Sequence, residues 1–273
     1  MNEKTLLIEK ASHGLTVTLH RPKQRNSINA QLVLDLHNLL DQAERDPICQ
    51  CIVLQGENGF FCTGMDFNEV TQMNSLTTES SLFSAKYMEL LKRFTTTPKI
   101  IISLVEGQVL AGGVGIVAAS DLVIGSQQAQ FALSEALWGL LPACVTPFLI
   151  RRIGFQKAYF MTLTTETMNA QEAHRIGLID KLAEQPHESL RLITLRLKRI
   201  HKETIHDLKA YFRKMWIITE AMEADAISEL DRLMMKPQVR DNIKNFIEKQ
   251  QFPWENCEKI HTFPLKAEIP ETM

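Results

Sequence analysis

Two short stretches set out the chemistry open to this chain. Thr63-Gly64-Met65 and Ala111-Gly112-Gly113 are glycine-bearing turns, and each follows an apolar, strand-like run. If those strands are neighbours, the N–H groups of Met65 and Gly112 converge on one oxygen. Two such donors stabilise the enolate that forms α to a thioester carbonyl. A helix starting at or just after Gly112 would also turn its free N–H groups and dipole toward the bound oxygen. A plain strand-to-helix corner accounts for the same glycines. The stretch is not a nucleotide loop: Ala111-Gly112-Gly113-Val114-Gly115 has neither the lysine of a P-loop nor the G-x-G-x-x-G spacing.

Enolate chemistry also needs a group that moves a proton. Glu135 lies in a largely apolar run from Phe131 to Pro142, surroundings that raise a carboxyl pKa toward a useful value. A glutamate favoured by the dipole in the first turn of a short helix fits equally well. Cys144 has no histidine partner in sequence and reads as a buried thiol before it reads as a nucleophile. Asp66 either caps the helix that follows it or orients a ligand. Tyr87 reads as core.

These residues need a scaffold. Thr5–Glu9 and Leu15–His20 form a hairpin through Ser12-His13-Gly14, and Asn29 caps a helix from about Ala30 to Asp46. Apolar runs predict strands at Cys51–Leu54, Ile100–Leu104, Leu122–Gly125 and Ile179–Leu182. Helices are expected at Glu79–Phe94, Ala143–Ile153, Phe155–Leu163 and Ala170–Ile176. From His187 on, the pattern is helical: Leu190–Lys202, Thr204–Glu223, Ala226–Leu233 and Pro237–Lys249. Strands alternating with helices predict an α/β core over residues 1–186, with a helical region over 187–273.

The 273 residues are 45% hydrophobic and 23% charged, the make-up of a globular protein. A net charge of −2 argues against nucleic acid as partner. Basic residues concentrate between Arg191 and Lys214, eight against two acidic ones, either as a solvated helix face or as a landing surface for something acidic. Five cysteines fit neither a disulfide framework nor a metal site. With no signal peptide and no membrane-length apolar run, a cytoplasmic setting is expected.

Several motifs agree in order and spacing with one known family. They are Arg21-Pro22…Asn26-Ser27-Ile28-Asn29, Phe61-Cys62-Thr63-Gly64-Met65-Asp66, Ala111-Gly112-Gly113…Asp121, Phe131…Glu135…Gly139-Leu140-Leu141-Pro142 and Ala170-Gln171-Glu172-Ala173…Gly177-Leu178-Ile179-Asp180. Together they resemble the crotonase (enoyl-CoA hydratase/isomerase) superfamily from about Thr5 to Trp254. The resemblance implies a spiral of ββα units with a C-terminal helical trimerisation region, giving trimers or hexamers. It also implies Met65 and Gly112 as oxyanion donors, Glu135 in proton transfer, and Asp66, Gly64 and Gly113 at the substrate. Family hydratases use two glutamates; this chain has Gly115 at the first position and Glu135 at the second.

Ser134 to Gly154 and the ending Gln251-Phe252-Pro253-Trp254-Glu255 are similar, more narrowly, to the dehydratases of polyketide β-branching. That resemblance implies loss of water from 3-hydroxy-3-methylglutaryl on an acyl carrier protein, giving 3-methylglutaconyl. The substrate would ride on a phosphopantetheine arm, with no cofactor and no metal, and Cys144 would help position it. The sister decarboxylase of the same pathway, a CoA-dependent hydratase or isomerase, and a non-catalytic crotonase-fold scaffold are the alternatives.

Overall fold

The computed structural model describes residues 4–12, 14–72, 78–216 and 218–256; His13 of the expected hairpin and Cys257 lie outside them. The hairpin forms from β1 (Leu6–Ala11) and β2 (Gly14–Leu19). The remaining strands are β3 (Cys51–Gln55), β4 (Phe60–Cys62), β5 (Ile100–Val105), β6 (Gln108–Leu110), β7 (Leu122–Gly125), β8 (Gln130–Ala132), β9 (Met168–Asn169) and β10 (Lys181–Leu182). They make a six-stranded sheet, β1-β2-β3-β5-β7-β10, and a four-stranded sheet, β4-β6-β8-β9.

The chain alternates between the sheets. Each of β3, β5 and β7 in the large sheet is followed by β4, β6 or β8 in the small one, and then by a helix: Phe67–Gln72, Gly112–Ala119 or the 3₁₀ turn Glu135–Trp138. This is the expected spiral of ββα units. Both faces of the large sheet are covered, so its central strands β3 and β5 are nearly continuous apolar runs, in which the buried Ser103 is paired with Ser120. Ile52 and Leu54 face the main core, whereas Cys51 and Val53 face a second cluster closed by Leu190 and Ile205. The helix Ala30–Arg45 is capped as expected, the Asn29 side chain accepting from the Leu32 N–H at 2.9 Å.

The structure corrects one long helix. Thr204–Glu223 is two helices, Lys202–Arg213 and Glu220–Met234. Between them Trp216 lies under the guanidinium groups of Arg151 and Arg213, at 5.1 and 5.5 Å, and the Thr219 side chain caps the next helix. The latter helix therefore starts six residues before the expected Ala226. Two other starts also shift: Ala143–Ile153 is helical only from Thr146, and Leu190–Lys202 begins at Pro186. The C-terminal helices pack on the main core through Leu230, Leu233, Val239 and Ile243. Among the described residues no helix is long and apolar enough to cross a membrane.

Candidate active site

In the small sheet β4, β6 and β8 are parallel neighbours, paired Cys62 with Val109 and Leu110 with Ala132. Their carboxyl ends therefore lie side by side, and the segments leaving them are Thr63–Asp66, Ala111–Gly113 and Leu133–Glu135. This is the edge where parallel-strand proteins place ligands. The two glycine turns and the glutamate meet because their strands are in register.

Gly64 shows how close the first two are. A Cβ on it would lie 2.6 Å from Ala111 Cβ and 3.3 Å from Gly112 N, and its φ is +83°. Among the described residues neither the Met65 nor the Gly112 N–H has a backbone acceptor in a turn, loop or cap. The Gly112 N–H opens the helix Gly112–Ala119, where no preceding turn can accept it. Ala111 just before it has φ 49° and ψ −123°, a conformation that costs a non-glycine residue about 1–3 kcal/mol.

The first turn is braced from the N-terminal loop. Arg21 donates to Asp66 Oδ2 at 2.8 Å and also to the Ser27 carbonyl. Asn26 bridges the Arg21 N–H (2.9 Å) and the Phe60 carbonyl (3.0 Å). Ile28 N–H donates to the Gly64 carbonyl at 2.6 Å, and the Asp66 N–H donates to the Ile28 carbonyl at 2.9 Å. The Arg21…Asn26-Ser27-Ile28 motif thus holds the backbone that presents Met65. Asp66 accepts from the Asn68 N–H as a cap while its other oxygen meets Arg21.

These elements open on one cavity of about 660 Å³ lined by Met65, Asp66, Gly112, Glu135 and Cys144. Gly64 and Gly113 stand behind its wall. At Gly113 a Cβ would lie 2.5 Å from the Cys62 carbonyl oxygen, so its bareness serves packing. An aromatic roof closes over Glu135: Trp138 meets Phe67 (4.9 Å) and Phe246 (5.1 Å) edge-on, and Phe252 stacks on Trp254 at 4.7 Å. Sequence reasoning missed this roof, in which Phe246, Phe252 and Trp254 come from more than a hundred positions after Trp138. The signal for it was the Gln251–Glu255 ending.

Glu135 as a residue is half-buried, but its Oε2 is sealed from solvent and has no hydrogen-bond partner among the described residues. Burial raises its carboxyl to about 7, against a smaller lowering by its own backbone N–H. A carboxyl of that pKa both takes and returns a proton near neutrality.

Cys144 is buried, its thiol pushed to about 12 by burial. It is therefore a neutral thiol, unsuited to nucleophilic attack. Cys49 is raised as well, and Cys51 and Cys62 reach about 12, all chiefly by burial. Iodoacetamide at about pH 8 is accordingly expected to leave all four unmodified in the folded protein, checked by peptide mass mapping.

Other cations lie away from this cavity. Lys86 pairs with Glu89, Arg93 with Asp41 and Glu44, and both line a separate cavity. Of the basic stretch, Arg191 pairs with Glu188, Lys209 with Asp121, and Arg213 donates to Thr95. None of that stretch lines the Glu135 cavity, where the cations among the described residues are Lys23 and Arg25. No cluster of metal-ligating side chains occurs among the described residues.

Comparison with known proteins places this geometry in a context. Residues 10–257 match the family described as Enoyl-CoA hydratase/isomerase. The bacillaene synthase dehydratase PksH of Bacillus subtilis is 38% identical over 240 residues, covering 88% of this chain and 92% of PksH. The crystal structure of pksH superposes with a TM-score of 0.86 at 36% identity, over 92% of this chain and 99% of that one. Mevalonyl-coenzyme A hydratase sidH of Aspergillus fumigatus is 26% identical over 89% of this chain and 91% of its own.

Proposed function

The chain belongs to the enoyl-CoA hydratase/isomerase family, and from that premise we propose that it is a dehydratase of polyketide β-branching. It removes water from 3-hydroxy-3-methylglutaryl on an acyl carrier protein and yields 3-methylglutaconyl on the same carrier. The observation that carries this reading is Glu135, a carboxyl with a sealed, unpartnered oxygen poised at about 7 in one cavity with two backbone donors.

The substrate thioester oxygen sits between the Met65 and Gly112 N–H groups. Glu135 takes a proton from C2, the C2–H electrons pass into the enolate, and the two amides stabilise the negative oxygen. The enolate electrons then form the C2–C3 double bond as the C3–O bond breaks. Glu135 returns its proton to the departing hydroxyl, water leaves, and the carboxylate is restored. One carboxyl suffices because a tertiary hydroxyl leaves more readily than a secondary one. The mevalonyl group named for the fungal relative also carries a tertiary 3-hydroxyl, which supports the reading.

The substrate's surroundings follow. The exposed Lys23 and Arg25 bind the phosphate of the phosphopantetheine arm, and Asp66 keeps the first turn in place through Arg21. Cys144 contributes shape, and no cofactor takes part. Residues 1–186 act as the catalytic core and 187–273 as the region of trimer or hexamer contact, with Leu208, Tyr211, Phe212 and Met215 exposed for that purpose. The protein acts in the cytoplasm.

Intact-protein mass spectrometry tests this. The purified chain should remove one water from 3-hydroxy-3-methylglutaryl carrier protein and leave 3-hydroxybutyryl-CoA unchanged. Loss of carbon dioxide from a 3-methylglutaconyl carrier would assign the decarboxylase instead. Turnover of the CoA control alone would return the chain to general acyl-CoA metabolism.

A further inference from the structure

Gly115, where family hydratases carry their first glutamate, is not an empty position. A Cβ there would lie 2.4 Å from Tyr87 Oη, 3.0 Å from Val145 Cγ2 and 3.2 Å from Leu91 Cδ1. Tyr87 projects from the helix Thr78–Thr96, is buried, and still lines the Glu135 cavity. Its hydroxyl donates to the Gly112 carbonyl. That carbonyl belongs to the residue whose N–H is one of the two oxyanion donors.

A phenol so placed cannot replace a carboxylate as base. Burial, with Cys62, Cys144 and Glu135 as neighbours, holds its pKa well above 10, so it stays neutral over the working range. Its single proton is committed to Gly112. What it can do is fix a peptide and fill a space.

We propose that Tyr87 is a positioning residue standing where a second carboxylate would act. Its hydroxyl fills the space over Gly115 and, by donating to the Gly112 carbonyl, pins the Gly112–Gly113 peptide, which through the Gly112 backbone restrains the adjoining Ala111–Gly112 peptide whose N–H faces the substrate oxygen. This deepens the dehydratase reading and rests on it for the reaction, though the packing half does not. It leaves Glu135 as the group that titrates during turnover.

The test uses full-length Y87F, G115A and Y87F/G115A proteins. In steady-state dehydration of the carrier substrate, Y87F should lower kcat roughly tenfold, the loss of one orienting hydrogen bond, with KM held within about twofold. The pH midpoint near 7 should not move. Unchanged kcat, or a loss carried by KM, would overturn the positioning role; a displaced midpoint would make Tyr87 a proton-transfer group instead.

A thermal-unfolding cycle needs no substrate. Removing the hydroxyl leaves Val145 at 3.0 Å as the nearest recorded obstacle, so G115A should cost roughly 3 °C less with Phe at 87 than with Tyr. Equal costs in both backgrounds would overturn the space-filling role. If the wild-type protein turns over neither carrier nor CoA substrate, the dehydratase reading falls. The cycle then still decides the packing, and the Gly112 amide resonance decides the orientation: displaced by Y87F it supports the role, unmoved it refutes it.

Discussion

Replacing Glu135 with Gln is expected to lower turnover of the carrier substrate by roughly 10³-fold, within the range that general acid–base groups contribute. Gln keeps the shape and the 3₁₀ turn but can neither accept the C2 proton nor deliver one to the leaving hydroxyl. Binding should survive, because the amides of Met65 and Gly112 remain, so the loss should appear in kcat with KM little altered. In the wild-type protein kcat/KM should rise with pH through about 7, where Glu135 of the free protein becomes the carboxylate that starts the proposed reaction.

The same residue links activity to stability. Its carboxyl titrates at about 7 in the fold and near 4.5 when exposed. Below 4.5 it is protonated in both states and carries no penalty. As pH rises from 4.5 to 7 the unfolded chain loses its proton first, and the fold weakens relative to it. Above 7 the full cost stands, about 3 kcal/mol. Gln does not titrate, so E135Q should unfold like the wild type at about pH 4 and at a clearly higher temperature at about pH 8. Parallel melting curves at the two pH values check this. A variant that is less active and more stable only above neutrality marks a carboxyl whose burial is kept for its chemistry.

Gly64→Ala is the second large effect. The new methyl would lie 2.6 Å from Ala111 Cβ and 3.3 Å from Gly112 N, in a backbone of φ +83°. The two turns must part, and with them the two donors. We expect kcat to fall roughly 10²- to 10³-fold, as when an oxyanion donor is lost. Gly59 separates strain from geometry, since its φ is +79° and nothing lies within 4 Å of its Cβ position. Gly59→Ala should share the modest loss of stability and keep full activity. Steady-state kinetics and thermal melts on both variants make the comparison.

The residues of the site were more legible than the strands that gather them. Glycine turns, a glutamate in apolar surroundings and an N-capping asparagine each leave a local mark, and Gly112 does open a helix. The strand-like runs legible ahead of the two glycine turns are β3 and β5; β4, β6 and β8, which carry the turns, leave almost no mark, because three residues give no periodicity to read. Convergence of Met65, Gly112 and Glu135 is a fact about their register. Arg21 and Tyr87 were hidden for a related reason. An arginine beside a proline reads as loop and a tyrosine on an amphipathic helix reads as core, until Asp66 and the Gly112 carbonyl are found at their tips. In the basic stretch Arg191, Arg196, Lys198, Arg199, Lys202 and Lys214 are exposed, as a solvated face would be. Lys209 and Arg213 are anchored against the core, a distinction composition alone does not carry.

The edge formed by β4, β6 and β8 also bears on how such a protein can change. Each turn of the spiral ends by handing one group to the cavity: an amide after the first, an amide after the second, a carboxyl after the third. The strands keep their spacing whatever stands at the tips. On the proposed reading, a single exchange at one tip can therefore retire one reaction and admit another while the two amides are kept. Gly115, one turn into the helix that follows the second strand, sits where such an exchange separates this chain from two-glutamate hydratases.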